Sequence, residues 1–199
     1  MENNFKSLFI SIPKCGSQTV EKILNLNNQL INLNLNSEII HENHQRLKIL
    51  DKKYDLTNIY TFAFVRNPFE RIRSWYYYHE RVPPYNKYRS LNKWIEAECP
   101  HHWDLQCNTH WDVLGISPLL QYNFIDGNKQ IEFIGKMENF KEDFQHIILH
   151  LNDLLEIEIE YEDIKVNATD KKDKISKKNK KLIYDMFRKD FDYFGYALE

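Results

Sequence analysis

The sequence predicts an α/β fold in which a central parallel sheet is covered by helices on both faces. Three observations carry this. Short apolar runs alternate along the chain with longer stretches of helical spacing. The clearest run, Ile59 to Val65 (IYTFAFV), is apolar at odd and even positions alike, as a strand buried on both sides must be. No repeat and no linker divides the chain, so residues 1–199 are expected to form one domain.

The elements follow in order. Lys6 to Ile12 reads as a buried strand, stopped by Pro13. Gly16 to Leu26 reads as a helix, with Val20, Ile23 and Leu24 on one face. The Asn-rich segment 25–36 is a helix end and loop, and Glu38 to Ile40 a short strand. Asn43 is expected to cap a helix running to about Lys52. After the Ile59–Val65 strand, Pro68 fits a first helical turn, and the helix should continue to about Tyr78. Residues 82–124 have weak periodicity and read as short helices and loops, an insertion or lid. Ile131 to Gly135 is a further buried strand, and Phe140 to Leu151 an amphipathic helix. The basic run Lys171 to Lys181 leads into a last helix through about Arg188.

Composition narrows the function classes. A formal net charge of −2 gives no field that favours nucleic acid or a membrane surface. No signal peptide or membrane span is visible, so a cytoplasmic location is expected. Cys15, Cys99 and Cys107 do not read as a disulfide framework. With five glycines in the chain, the one at position 16 stands out as placed.

Gly16 lies in SLFISIPKCGSQTVEKIL (7–24), a strand, a tight turn and a helix start. That arrangement suits a phosphate group, because helix-start N–H groups and the positive end of the helix dipole face the anion. Lys14 adds a full charge, and Ser17 and Thr19 add hydroxyl donors. The Walker A pattern is absent, since the lysine precedes the glycine. An ordinary helix start with a surface lysine is the plain alternative. The second stretch is FAFVRNPFERIRSWYYYH (62–79). Arg66 leaves a central strand and Ser74 lies in the following helix, a second candidate anion site at the carboxyl end of the sheet. The plain alternative is a buried Arg–Glu pair, involving Arg71 or Arg73.

Together these stretches resemble the sulfotransferases. IPKCGSQTV is similar to that family's 5′-phosphosulfate loop and FVRNPFERIRS to its 3′-phosphate element. FIGKMENFKEDF (133–144) resembles the family's FIGRFENLEEDF-like segment, and YDMFRKDFDYFGY (184–196) its C-terminal end. The nearest subgroup is the carbohydrate type, including the heparan 2-O enzymes. Cys15 stands where the family often has Thr or Ser. The middle region matches poorly and leaves the acceptor open.

The resemblance implies a P-loop NTPase-like three-layer domain and a donor, 3′-phosphoadenosine 5′-phosphosulfate (PAPS), with adenosine 3′,5′-bisphosphate (PAP) as product. It implies that Lys14 stabilises the leaving oxygen and that the loop Cys15, Gly16, Ser17, Gln18 and Thr19 holds the 5′-phosphate. Arg66 and Ser74 would hold the 3′-phosphate, Lys171 or Lys172 would contact a phosphate, and no metal is needed. The base would be a histidine of IIHENHQRL (39–47): His41, two residues before the expected cap, is favoured over His44, expected inside the first helical turn. The acceptor would be a glycan or another hydroxyl compound. A P-loop nucleotide kinase and a non-catalytic nucleotide- or glycan-binding protein on the same fold are the rivals.

Two other features carry chemistry of their own. CPHHWDLQCNTH (99–110) offers Cys99, His101, His102, Cys107 and His110, but its spacing fits no strong zinc pattern, and a wall of the acceptor pocket is the preferred reading. Trp75, Tyr76, Tyr77, Trp103 and Trp111 could stack on sugar rings, although such density more often marks a core.

Overall fold

The computed structural model describes residues 5–24, 39–41, 44–81, 85–100, 120–161 and 173–198. They fall into two compact units, Met1–Arg66 with Phe124–Asn167, and Asn67–Asn123 with Ala168–Glu199.

The first unit is built on a four-stranded parallel sheet. Its strands are β1 (Ser7–Ile10), β2 (Ile39–His41), β3 (Tyr60–Val65) and β4 (Phe133–Lys136), in the order β2-β1-β3-β4. Leu8 pairs with Ile40 on one side and Thr61 on the other, and Ala63 pairs with Ile134. Phe9, Phe62 and Phe64 share a core with Val20 and Leu24 of α1 (Ser17–Ile23 and its C-cap) and with Phe144, Ile147 and Leu151 of the long helix Phe140–Leu155. Pleat alternation turns Leu8, Ile10 and Ala63 to the opposite face, where each is fully buried. A sheet buried on both faces is what the unbroken apolar pattern of IYTFAFV required. Each large side chain so buried contributes about 1.5–3 kcal/mol. The fold is α/β, as expected.

Local chemistry sets the remaining elements of this unit. Helix α2 (Leu47–Lys53) buries Leu47 and Leu50, and its Asp51 accepts N–H bonds from Asn128 (2.6 Å) and Lys129 (3.4 Å), tying the turn before β4 to the helix. Gly135 lies opposite Phe64, and a Cβ there would fall 2.5 Å from the ring. That contact is why the β4 residue facing this ring is glycine.

The second unit is helical. It holds α3 (Pro68–His79), a 3-10 turn (Tyr85–Tyr88), α4 (Leu91–Glu96) and the terminal helix Lys177–Phe194. Asn67 caps α3, its side chain accepting from Phe69 N–H at 2.9 Å, with Pro68 at the first helical position. Trp75, Tyr76, Tyr85, Trp94 and Phe191 form the core, and Trp75 Nε1 donates to Tyr85 Oη at 2.8 Å. Trp75 and Tyr76 are therefore core residues, not sugar platforms, while Trp103 and Trp111 lie outside the described residues.

Four expectations need adjusting. The last helix runs past Arg188 to Phe194, because Ile183, Phe187, Asp190, Phe191 and Phe194 recur at helical spacing and are all buried; Gly195, left-handed, ends it. The helix expected to stop at Leu151 continues to Leu155. The strand before it occupies Phe133–Lys136, shifted towards the C-terminus. The helix expected to start after Asn43 begins at Leu47 with Arg46 as its N-cap, and Asn43 itself lies outside the described residues.

Candidate active site

Four parallel strands present their carboxyl ends at one rim, and in α/β sheets ligands bind there. In the first unit the chain leaves β1 through Ser11 to Gly16, β3 through Arg66 and β4 through Met137. His41 is the last residue of β2, opposite Phe9 of β1. Because Ile10 pairs with Ala63, the lysine loop and Arg66 leave adjacent strands on the same side.

The loop after β1 is tightly turned. Cys15 N–H donates to Ile12 O at 3.2 Å, and Gly16 O accepts from Thr19 N–H (2.9 Å) and Val20 N–H (3.1 Å). Lys14 and Gly16 both have left-handed backbones, φ 65° and 75°. Glycine accepts this freely, but for Lys14 it costs about 1–2 kcal/mol. Left-handed residues in a turn bring successive N–H groups to one side, the arrangement of an anion-binding nest. The N–H groups of Ser17 and Gln18 in the first turn of α1 have no carbonyl four residues back within the helix and point to the same side. Lys14 is half-buried, Ser17 and Thr19 are buried, and Gln18 is exposed. Cys15 is buried, with its thiol towards Pro13 O at 3.7 Å. Gly16 also faces Met137 of the β4 exit, and a Cβ on it would meet Met137 Sδ.

His44 does not sit inside a helical turn. It precedes α2, with φ 55°, and its Nδ1 lies 3.0 Å from Ser11 O and 3.2 Å from Ser11 Oγ. The left-handed backbone at His44 and the cap at Arg46 displace the helix start and turn the imidazole to the exit of β1. Arg46 is buried, and that burial lowers its pKa from the ordinary arginine value.

Arg66 is half-buried at the end of β3. Ser74 belongs to the second unit, buried in α3. Arg73 pairs with Glu70, but the Glu70 side chain is exposed, so this is a surface pair rather than the buried Arg–Glu pair of the plain alternative. Arg71 is buried too, its guanidinium 5.5 Å from the Trp75 ring. Lys171 and Lys172 lie outside the described residues, as do His101, His102, Cys107 and His110. Cys99 is buried and burial, reinforced by Glu98, pushes its thiol pKa far up, so it is a poor nucleophile. Among the described residues no group of three or more His, Cys, Asp or Glu could hold a metal ion.

Two residues at this rim escape a reading of the sequence. Ser11 is one hydroxyl inside an apolar run, and Met137 is one apolar residue after a strand. Neither has a signal of its own, since both matter through residues distant in the chain.

The model of the family described as the sulfotransferase family matches residues 1–197. No curated protein matches the chain.

Proposed function

This chain belongs to the sulfotransferase family, and from that premise we propose that it moves a sulfuryl group from PAPS to the hydroxyl of a carbohydrate acceptor. The observation that supports this reading best is the pairing of Ile10 with Ala63, which sends the Lys14 loop and Arg66 out of adjacent parallel strands at one rim. A nucleotide with phosphate at both the 5′ and 3′ positions needs two such cationic groups.

The acceptor oxygen attacks sulfur in line. The bond from sulfur to the oxygen it shares with the 5′-phosphate breaks, and that electron pair leaves on PAP. The acceptor's proton passes to a histidine at the rim. The Lys14 ammonium stabilises the charge growing on the leaving oxygen, a contribution of the order of 10²–10³ in rate for a preorganised donor. The N–H groups of Gly16, Ser17 and Gln18 and the hydroxyls of Ser17 and Thr19 hold the 5′-phosphate, on the loop that Cys15 closes. Arg66 holds the 3′-phosphate through charge-assisted hydrogen bonds. For Ser74, Lys171 and Lys172 the support is the sequence motif alone.

Thermal shift tests the donor. PAP at 100 times its dissociation constant should stabilise the chain by about 2.7 kcal/mol. For a chain of this length, at about 2–4 °C per kcal/mol, that is a rise in Tm of about 5–11 °C. ATP with Mg²⁺ should give none, whereas a nucleotide kinase would show the reverse. Transfer of radiosulfur from PAPS across a panel of mono- and oligosaccharides tests the acceptor class. PAP binding with no acceptor sulfated would favour a non-catalytic nucleotide-binding protein.

A further inference from the structure

We propose that Ser11 is a positioning residue for His44: its carbonyl holds the imidazole with the proton on Nδ1, which makes Nε2 the atom that takes the acceptor's proton. The inference rests on the sulfotransfer reading for the identity of that proton, and it chooses His44 over His41 as the base.

The argument is one of hydrogen-bond roles. Ser11 O lies 3.0 Å from His44 Nδ1. A carbonyl oxygen can only accept, so Nδ1 must carry the hydrogen. A neutral imidazole has one N–H and one lone pair, so its lone pair is then on Nε2. Ser11 Oγ, 3.2 Å from the same nitrogen, serves as a second acceptor for that hydrogen. Ser11 is fully buried and directly follows β1, so the anchor is fixed by the sheet. Three residues further along the chain stands Lys14. One strand exit therefore supports both the cation that meets the leaving oxygen and the ring that removes the proton. Strain points the same way. His44 keeps a left-handed backbone that a non-glycine residue adopts only when its surroundings hold it there. When Nε2 takes the proton, Nδ1–H stays on Ser11, so the imidazolium forms without the ring turning.

The full chain labelled with ¹⁵N-histidine, studied at about pH 8.5 where an ordinary imidazole is neutral, gives the tautomer directly. Comparison with His44→Asn assigns the ring. The expected result is a protonated Nδ1 and an unprotonated Nε2; the opposite tautomer overturns the proposal. His44→Asn places an amide N–H at the Nδ1 position and can still donate to Ser11, yet has no base. It should keep the wild-type Tm and PAP affinity while radiosulfur transfer to chemically desulfated heparin, or to the best acceptor of the panel, falls about 10²–10⁴-fold. His44→Ala should lose the transfer and part of the stability together. Transfer at the wild-type rate by His44→Asn overturns the proposal. A wild-type chain that does not bind PAP overturns the donor reading instead, and the tautomer spectrum is unaffected by that outcome.

Discussion

A Cβ added to Gly16 would lie 2.5 Å from Met137 Sδ, so the turn after β1 and the exit of β4 are in contact through the one glycine of the lysine loop. The left-handed backbone at Gly16 makes the position doubly restrictive. Gly16→Ala must bear the left-handed penalty, about 1–2 kcal/mol, and must also displace a methionine side chain. We expect a lower Tm and weaker PAP binding. Met137→Ala in the same chain should restore part of the loss, because it removes the clash and leaves the backbone strain. A double-mutant cycle on Tm measures that coupling; strict additivity would show that the contact carries none of the effect.

Lys14 and Arg66 are expected to fail differently. Lys14→Ala removes a group whose charge matters most as the leaving oxygen develops its own. Turnover should fall about 10²–10³-fold while PAP affinity changes less. Arg66→Ala should do the opposite, weakening PAP binding by about 1.5–3 kcal/mol, the range for a hydrogen bond to a charged group. Steady-state kinetics beside calorimetric PAP titration separate the two, and equal losses in both parameters for both variants would contradict the division of roles.

Asp190 offers a test in the helical unit. It is buried, and its carboxylate accepts from the N–H groups of Gln121 and Tyr122, both at 2.9 Å. Burial raises its pKa above the ordinary 3.8, a rise that the nearby Arg71 and these N–H groups only partly offset. A folded-state value above the unfolded one means that the folded state binds the proton more tightly. The associated stability is complete below 3.8 and is lost as pH rises through the folded-state value. Asp190→Asn has one side-chain oxygen for the two N–H groups and loses the proton-linked stability, at a cost of about 1–3 kcal/mol for the buried donor left unpaired. Denaturant melts should show the variant's deficit largest in acid and smaller at neutral pH. A deficit that grows with pH would contradict the raised pKa.

The terminal helix starts with Ser176 Oγ accepting from Asn179 N–H at 3.2 Å, and no acidic residue lies in its first turn. That hydroxyl is the side-chain cap for a helix start crowded with lysines. Ser176→Ala should cost about 1 kcal/mol, read as a lower urea midpoint at unchanged slope. An unchanged midpoint would show that this cap contributes nothing.

What the sequence revealed, and what it did not, follows from the range of the forces involved. β1 and β3 were legible because burial on both faces leaves an unbroken apolar run, and α3 because Pro68 marks a first turn. The lysine loop and Arg66 were legible as a motif. The start of α2 was not, because Asn43 has the better capping chemistry and only a tertiary contact, His44 to Ser11, sets the backbone that moves the start to Leu47. The full length of the terminal helix is not legible, because FDYF reads as a tail and only tertiary packing buries Asp190, Phe191 and Phe194. Met137 and Ser11 depend on partners 121 and 33 positions away, and no local pattern encodes that.

The central claim is that the Lys14 loop and Arg66 hold the two phosphates of one nucleotide. Calorimetric titration of PAP and of adenosine 5′-monophosphate into the wild type and Arg66→Ala tests it most directly, because the two ligands differ only in the 3′-phosphate. The wild type should prefer PAP by about 1.5–3 kcal/mol, and Arg66→Ala should bind both ligands about equally. If Arg66→Ala keeps the full preference for PAP, Arg66 does not hold the 3′-phosphate and the claim is wrong.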